Sequence, residues 1–248
     1  MPSEHYIGGF HAVLAALEDG RHKPFEVLLS DSRNDERSRR VRALAQSLSV
    51  AVRTVARSDL DLKAPGLRHQ GVLALMPQVE LAGEDVLLAP ADEGRLFLAL
   101  DGVQDPHNLG ACLRTAEAAG VSAVIVPRDR AAGLTAVARK VAAGSAERVP
   151  VASVTNLSRT LAKLKDAGYW LTGLDGDGVE TIYDVDLRGP VVLVMGAEGE
   201  GMRRLTRENC DRVVRIPMLG KVESLNVSAA AAVCLFEALR QRLGATRG

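Results

Sequence analysis

The sequence VVLVMGAEGEGM, residues 191–202, is followed by VVRIPM at residues 213–218 and by ESLNVSAAAA at residues 223–232. Residues 191–195 are a continuous apolar run of strand length, which stops at Gly196, a residue that lets a ligand approach the backbone closely. Residues 213–216 form a second run, apolar except for Arg215, which Pro217 ends. This stretch therefore predicts two strands whose ends lie near one another.

A helix is predicted directly after these strands. Ser224 and Asn226 are both good N-cap residues, and apolar positions then recur at helical spacing through residues 227–241. The start of this helix is expected to meet the two strand ends.

Apolar runs alternate with helical patterns in the region upstream. The predicted strands are 96–100, 121–126, 149–154 and 170–174, and the predicted helices are 108–119, 134–143, 156–167 and a short one at 202–209. Such alternation predicts an α/β fold with a parallel sheet covered on both faces, and ligands bind outside the carboxyl ends of its strands.

The first part of the chain predicts a smaller α/β unit. Its candidate strands are 25–29, 51–55 and 71–76, and its candidate helical segments are 11–20, 38–48 and 59–62. Residues 79–93 hold five acids and no basic residue, so they form either an exposed linker or a docked edge of the larger unit. The predicted domains are therefore 1–78 and 94–248, joined by the acidic segment 79–93.

Composition limits the possible functions. Lys plus Arg and Asp plus Glu number 31 each, so bulk charge does not support nucleic-acid binding. The sequence has no apolar run of the roughly 20 residues that cross a bilayer and no signal pattern, which predicts a cytoplasmic protein without a membrane partner. The three cysteines lack metal-ligand or CxxC spacing, so no metal is expected.

Four motifs resemble those of the SPOUT superfamily, and of its TrmH-type branch of RNA ribose 2′-O-methyltransferases in particular. They are Asn108-x-Gly110-x3-Arg114, Gly196-Ala197-Glu198-Gly199-x-Gly201, Ile216-Pro217-Met218 and Ser224-Leu225-Asn226-Val227-Ser228. The resemblance implies methyl transfer from S-adenosylmethionine to the 2′-hydroxyl of a guanosine in 23S rRNA. It also implies a homodimer, an amino-terminal RNA-binding domain and a trefoil knot in the carboxy-terminal domain.

The glycine loop itself favours this cosubstrate over a dinucleotide. It is neither GxGxxG nor a Walker motif, and its two acids would repel a pyrophosphate but suit a sulfonium. The resemblance implies that the cofactor contacts are Gly196, Ile216 and Leu225, together with Ala197, Gly201 and Met218. A plain glycine turn and ordinary core residues are the alternative for these positions.

The resemblance implies a catalytic set consisting of Asn108, Arg114, Glu198, Ser224 and Asn226. The alternatives are that Asn108 is an N-cap, that Arg114 and Glu117 form a surface ion pair, and that Ser224 and Asn226 only cap a helix. Because a guanidinium is always charged, we expect Arg114 to lower the pKa of the hydroxyl and hold a phosphate, and not to act as a base.

RNA contacts are predicted in the first domain, at Arg39, Arg40 and Arg42 on one helix and at His11. The alternative is a solvated helix face. Aromatic residues make up only 3% of the chain, so recognition is expected to rely on backbone and shape.

Three other functions are alternatives to this enzyme. They are a tRNA ribose 2′-O-methyltransferase, a non-catalytic RNA-binding protein of the same fold and a nicotinamide-dependent oxidoreductase. The last requires a GxGxxG and a ribose-binding acid about 20 residues later, and the sequence lacks this signature.

Overall fold

The computed structural model describes residues 4–19, 23–77, 81–87, 94–129 and 131–245. The chain divides into two compact units, Met1–Glu80 and Leu81–Gly248.

The first unit is a four-stranded sheet with helices. Its elements are β1 (Glu4–Gly8), α1 (Phe10–Asp19), β2 (Glu26–Ser30), α2 (Glu36–Ser47), β3 (Ala51–Val55), α3 (Arg57–Lys63) and β4 (Val72–Pro77), with strand order β1-β4-β2-β3. β4 runs antiparallel to both neighbours, whereas β2 and β3 are parallel. The predicted α/β character is confirmed. The sequence pattern does not predict β1, because this short, half-buried strand pairs on one side only and lacks a clear period.

The second unit carries a seven-stranded sheet in the order β7-β6-β5-β10-β8-β11-β9. Its elements are β5 (Leu96–Asp101), α4 (Pro106–Ala118), β6 (Ala123–Pro127), α5 (Ala136–Ala142), β7 (Val151–Val154), α6 (Leu157–Asp166), β8 (Trp170–Leu174), β9 (Glu180–Thr181), β10 (Val191–Gly196), α7 (Arg204–Asn209), β11 (Arg212–Arg215) and α8 (Val227–Ala245). Every strand pairing described in this sheet is parallel, as predicted. The two-residue strand β9 is too short to give a sequence pattern.

The central strands of this sheet are buried on both faces, which explains their unbroken apolar sequences. Leu98 and Leu193 belong to one core cluster, whereas their strand neighbours Phe97 and Val192 belong to the other. Successive side chains of a strand point to opposite faces, so a sheet covered on both sides needs apolar residues at every position.

The strand register brings the predicted site segments to one edge of the sheet. β5 and β10 pair in parallel with Asp101 opposite Gly196, so the two strands end together. The buried Asp101 carboxylate accepts a hydrogen bond from the backbone N–H of Arg203 at 2.9 Å and also pairs with that guanidinium. The end of the glycine loop is thereby tied to the end of β5.

Residues 81–87 of the acidic segment pack on the second unit. Ala82 bridges to Ala152 of β7, Glu84 accepts a hydrogen bond from the Thr160 hydroxyl at 2.7 Å, and Leu87 is buried. The alternative of a docked edge is therefore correct for residues 81–87, which are not an exposed linker. Residues 79, 80 and 88–93 lie outside the described part of the chain. The trefoil knot stays a prediction from the resemblance. Among the described residues, no helix combines the length and apolar character that a membrane span requires.

Candidate active site

A cavity of about 910 Å³ opens at the carboxyl ends of β8, β10 and β11. Its walls are the loops that follow these three strands and the first turn of α8. The lining residues are Leu174, Asp175, Gly176, Asp177, Met195, Gly196, Ala197, Glu198, Gly199, Gly201, Ile216, Met218, Glu223, Ser224, Leu225, Asn226, Val227 and Ala230. All six residues predicted to bind the cofactor are in this set, as are three of the five residues predicted to be catalytic.

The glycine loop closes on itself through backbone contacts. Ala197 and Gly201 exchange two backbone hydrogen bonds, at 3.1 and 3.0 Å, and Gly201 has a φ of +66°. A Cβ added to Gly196 would lie 2.1 Å from the carbonyl carbon of Gly201 and 2.2 Å from the nitrogen of Met202. The sequence interpretation that Gly196 makes room for a ligand is therefore incomplete, because its missing side chain first makes room for the loop itself.

Three polar side chains from distant parts of the chain meet beside the cavity; Glu198 and Asn226 line it, whereas the buried Asn108 does not. Asn226 Nδ2 donates to Asn108 Oδ1 at 2.9 Å and also to Glu198 Oε1, to which Asn108 Nδ2 donates at 3.2 Å. The backbone N–H of Val227 donates to the same carboxylate oxygen at 3.3 Å. Because a carboxylate accepts and an amide both donates and accepts, these groups form a closed network.

The start of α8 explains one member of this network. Asn226 Oδ1 accepts from the backbone N–H of Ser228 at 2.9 Å, which is an N-cap bond. Asn226 is thus both the cap of α8 and part of the cavity wall. The prediction that Ser224 could cap this helix is wrong, because the helix begins at Val227 with Asn226 before it; Ser224 lines the cavity instead.

The residue that caps α4 is Asp105 and not Asn108. Asp105 is the N-cap, and its carboxylate accepts the backbone N–H of His107 at 2.9 Å. Asn108 lies inside the first turn, is 9% exposed and uses its side chain in the network with Glu198. The alternative that Asn108 is an N-cap is therefore wrong.

Arg114 lies two turns further along α4, is exposed and does not line the cavity. The alternative, an ion pair between Arg114 and Glu117, is not formed; Glu117 instead accepts from Arg148 Nε at 2.9 Å. Within the described ranges, no carboxylate lies within ion-pair distance of Arg114.

Gly110, the glycine of the first motif, is required by helix packing. A Cβ at this position would lie 2.4 Å from the carbonyl oxygen of Ala138 and 2.7 Å from the Cβ of Val141, both on α5. This glycine therefore lets α4 and α5 approach closely, and its role in the motif is structural.

One wall of the cavity, the DGDG turn at residues 175–178, is not among the predicted site residues. Asp175 and Asp177 line the cavity, and both accept from Arg207 of α7, at 2.9 and 2.8 Å. A Cβ on Gly178 would lie 2.4 Å from the carbonyl carbon of Val214, so the turn packs tightly against β11. The available signal was a pair of Asp-Gly dipeptides directly after a strand at the ligand-binding edge.

Comparisons with known proteins agree with this geometry. Residues 95–236 match the model of the SpoU rRNA Methylase family, and residues 6–82 match the model described as RNA 2′-O ribose methyltransferase substrate binding. The chain is 53% identical over 245 residues to the 23S rRNA (guanosine-2′-O-)-methyltransferase RlmB of Bordetella pertussis, covering 98% of this chain and 100% of the relative. The chain belongs to the SpoU rRNA methylase family.

Other SpoU proteins show the same likeness. The RlmB protein of Pseudomonas aeruginosa is 53% identical over 239 residues, which cover 95% of this chain and 96% of that protein. Among solved structures, the SpoU methyltransferase AviRb from Streptomyces viridochromogenes in complex with AdoMet aligns with a TM-score of 0.79 at 26% identity, over 97% of this chain and 91% of AviRb. The fold and the predicted family are both confirmed.

The predicted RNA-contact residues of this SpoU protein lie on the first unit, and two of them have partners there. Arg40 pairs with Glu18 at 2.8 Å, and Arg42 donates to the Thr54 hydroxyl at 2.8 Å. Arg39 and His11 are exposed. Arg40 and Arg42 are therefore engaged in contacts within the first unit. The role of all four residues in RNA binding stays a prediction.

The cysteines of this SpoU chain are free thiols. Burial raises the pKa of the Cys112 and Cys234 thiols to about 12. Burial is also the main cause that raises the pKa of Cys210 to about 11. Among the described residues, no three His, Cys, Asp or Glu side chains are grouped as metal ligands would be.

Proposed function

We propose that this protein transfers a methyl group from S-adenosylmethionine to the ribose 2′-hydroxyl of a guanosine in 23S rRNA. The observation that carries the proposal is the cavity at the carboxyl edge of the parallel sheet, lined by Glu198 and Asn226, which Asn108 holds by hydrogen bonds. Relatives more than 50% identical over nearly the whole chain act on 23S rRNA guanosine, which supports this substrate. Such a substrate also supports a cytoplasmic location.

The residues of the cavity fit this cosubstrate. Its volume lies within the roughly 300–1,000 Å³ of small-molecule sites. The described residues that line it include four acids and no Lys or Arg; the acids are Asp175, Asp177, Glu198 and Glu223. Arg207 pairs with Asp175 and Asp177, which leaves Glu198 and Glu223 as the acids of the lining without a described ion pair. Negative charge of this kind favours a ligand with a net positive charge, as a sulfonium has. We assign Gly196, Ile216 and Leu225, with Ala197, Gly201 and Met218, to the walls that hold it.

The bound cosubstrate supplies an electrophilic methyl carbon on a positively charged sulfur. The ribose oxygen attacks this carbon, the carbon–sulfur bond breaks, and the hydroxyl proton leaves to a phosphate oxygen or water. The chain contributes alignment, which is the main requirement for a reaction with so good a leaving group. We assign Asn108, Glu198, Ser224 and Asn226 to holding the ribose and the methyl donor.

We further propose that the enzyme is a homodimer and that Arg114 serves the cavity of the partner. Arg114 is exposed and lies outside the lining of the cavity of its own chain, and α8 exposes the apolar side chains of Phe236 and Leu243. Exposed apolar residues on one helix suit a symmetric contact between two copies. In that contact Arg114 would hold the RNA phosphate and lower the pKa of the 2′-hydroxyl.

Mixing two inactive variants tests this arrangement. Arg114→Ala and Glu198→Ala chains are unfolded, refolded together and assayed. If Arg114 acts across the interface, half of the dimers carry one complete site, so activity should return to about a quarter of the wild-type value. No recovery in mixed dimers, isolated through a different affinity tag on each chain, would show that Arg114 acts within its own chain.

We propose that residues 1–78 bind the RNA and that residues 94–248 carry out the transfer, with residues 81–87 of the acidic segment 79–93 docked on this second unit. The match of residues 6–82 to a substrate-binding family supports the first assignment. Arg39, Arg40, Arg42 and His11 are its candidate contacts. A tRNA substrate is disfavoured, because a TrmH/SpoU tRNA modifying enzyme from A. aeolicus aligns with only 66% of this chain, at a TM-score of 0.57.

The decisive experiment maps 2′-O-methyl groups in rRNA and tRNA from cells with and without this protein. We expect one guanosine of 23S rRNA to lose its methyl group, and purified protein with S-adenosylmethionine to restore it. Loss of a methyl group only in tRNA would support the alternative substrate. Absence of heat in calorimetry with S-adenosylmethionine would support the non-catalytic RNA-binding protein.

A further inference from the structure

The network on the cavity wall has a direction, and one backbone group sets it. The backbone N–H of Ser228 lies 2.9 Å from one terminal atom of the Asn226 side chain. An N–H can only donate, so that atom must be the amide oxygen, Oδ1. This matters because the oxygen and nitrogen of an amide are otherwise assigned only from their surroundings.

The direction then passes to Asn108. With Oδ1 of Asn226 facing Ser228, its Nδ2 faces Asn108 and Glu198. The Asn108 atom that accepts from this Nδ2 at 2.9 Å must be an oxygen, so Asn108 Nδ2 faces Glu198 at 3.2 Å. Both amides are therefore oriented by a single donor at the start of α8.

The Ser228 side chain strengthens the same orientation. Its Oγ lies 2.6 Å from Asn226 Oδ1, so this oxygen receives both the N–H and the O–H of one residue. Ser228 is partly buried and is not among the residues that line the cavity. Any effect of its hydroxyl on the reaction must therefore act through Asn226.

We propose that Ser228 is a positioning residue whose hydroxyl, the second donor to Asn226 Oδ1 beside the backbone N–H, holds the polarity of the catalytic wall. With this polarity, Asn108 uses Oδ1 and one Nδ2 hydrogen within the network, where it orients Asn226 and Glu198, which line the cavity. Glu198 Oε1 receives three donors, whereas no described residue donates to Oε2, which remains an acceptor. The inference rests on the proposed methyltransferase function, since a ribose hydroxyl is the donor that this acceptor would meet.

Removal of the Ser228 hydroxyl should loosen the orientation of the Asn226 amide without changing the residues that line the cavity. In Ser228→Ala, Asn226 Oδ1 keeps one donor and its exposed amide can turn toward water. Because one hydrogen bond contributes about 1 kcal/mol, we expect kcat to fall about fivefold to tenfold. The Kd for S-adenosylmethionine should change less than about twofold, since Ser228 does not line the cavity.

The test compares Ser228→Ala, Ser228→Thr and the control Ser158→Ala, whose hydroxyl also bonds within the protein but on α6. Each variant is assayed for kcat, KM and S-adenosylmethionine affinity. The Nδ2 protons of Asn108 and Asn226 are followed by NMR in protein labelled with ¹⁵N-asparagine. We expect faster exchange of these protons and lower kcat in Ser228→Ala only, with restoration by threonine.

Normal kcat and unchanged amide exchange in Ser228→Ala would overturn the proposal, as would an equal loss in the threonine variant. A fall in kcat that comes with weak cofactor binding would also contradict it, because a general disturbance of the cavity would then explain the loss. The NMR measurement needs no catalysis, so a protein inactive on rRNA would refute the proposed function while the network could still be tested.

Discussion

Asn226 Nδ2 donates a hydrogen bond to Asn108 Oδ1 at 2.9 Å, although 118 residues separate the two in the sequence. Asn108 stands in the first turn of α4 and Asn226 at the start of α8, and Glu198 of the glycine loop contacts both. Three elements that end or begin at one edge of the sheet thus share a single network. The shape of the cavity wall therefore depends on contacts between segments that are distant in the sequence.

Glu198→Gln should reduce turnover on the order of tenfold to a hundredfold, because hydrogen bonds to a charged acceptor are worth about 1.5–3 kcal/mol each. The glutamine keeps the shape but replaces one acceptor oxygen with a donor. Single-turnover methylation of 23S rRNA measures the effect. Glu200→Gln, in the same loop but outside the cavity lining, is the control and should retain nearly normal turnover.

Gly196→Ala should weaken S-adenosylmethionine binding about tenfold or more, which corresponds to at least about 1.4 kcal/mol. The added Cβ would lie 2.1 Å from the carbonyl carbon of Gly201, so the glycine loop would have to open. Calorimetry gives the affinity. The control is Gly220→Ala, in the loop before α8, which should bind normally because no described atom lies within 4 Å of its added Cβ. Equal affinities for the two variants would show that binding does not need the closed glycine loop.

Gly110→Ala should lower the free energy of unfolding by about 1–3 kcal/mol, as overpacking does in well-packed interiors. Its Cβ would lie 2.4 Å from the carbonyl oxygen of Ala138 and would force α4 away from α5. Gly244→Ala on α8 has open space and should be neutral or stabilising by up to about 1 kcal/mol. Urea unfolding measures the stability of both variants. Similar unfolding midpoints would contradict the packing role of Gly110.

Asp175→Asn should weaken S-adenosylmethionine binding by up to about fivefold. The carboxylate accepts from Arg207 at 2.9 Å, and this pair holds the DGDG turn against α7. Both side chains are about one-third exposed, so the pair is worth less than about 1 kcal/mol. The matched control is Asp166→Asn, which changes an exposed acid at the end of α6. An identical affinity for both variants would show that the ion pair of Asp175 with Arg207 does not contribute to cofactor binding.

The thiols should resist alkylation in the folded protein. A raised pKa lowers the thiolate fraction at a given pH, and burial raises the pKa of Cys112 and Cys234 to about 12. At pH 8 N-ethylmaleimide should therefore label neither residue until denaturant is added, after which all three cysteines react. Mass spectrometry counts the labels; rapid labelling of Cys112 or Cys234 in native protein would show that these core positions open.

Most of the fold can be predicted from the order of residues alone. Unbroken apolar runs such as residues 191–195 identify strands buried on both faces, because only a sheet covered twice needs apolar side chains at every position. Helix patterns between the runs then require parallel pairing. The family motifs also identify residues of the cavity wall, since Glu198, Leu225 and Asn226 all line it.

How these residues are used becomes visible only in three dimensions. Asn108 is a network member and not a cap, Glu117 pairs with Arg148 and not with Arg114, and Gly196 makes room for its own loop. Each of these outcomes depends on a partner that lies far away in the sequence, or on a backbone approach that has no period. Local patterns report the conformation of a segment, whereas the partner of a side chain depends on which segments the sheet brings together.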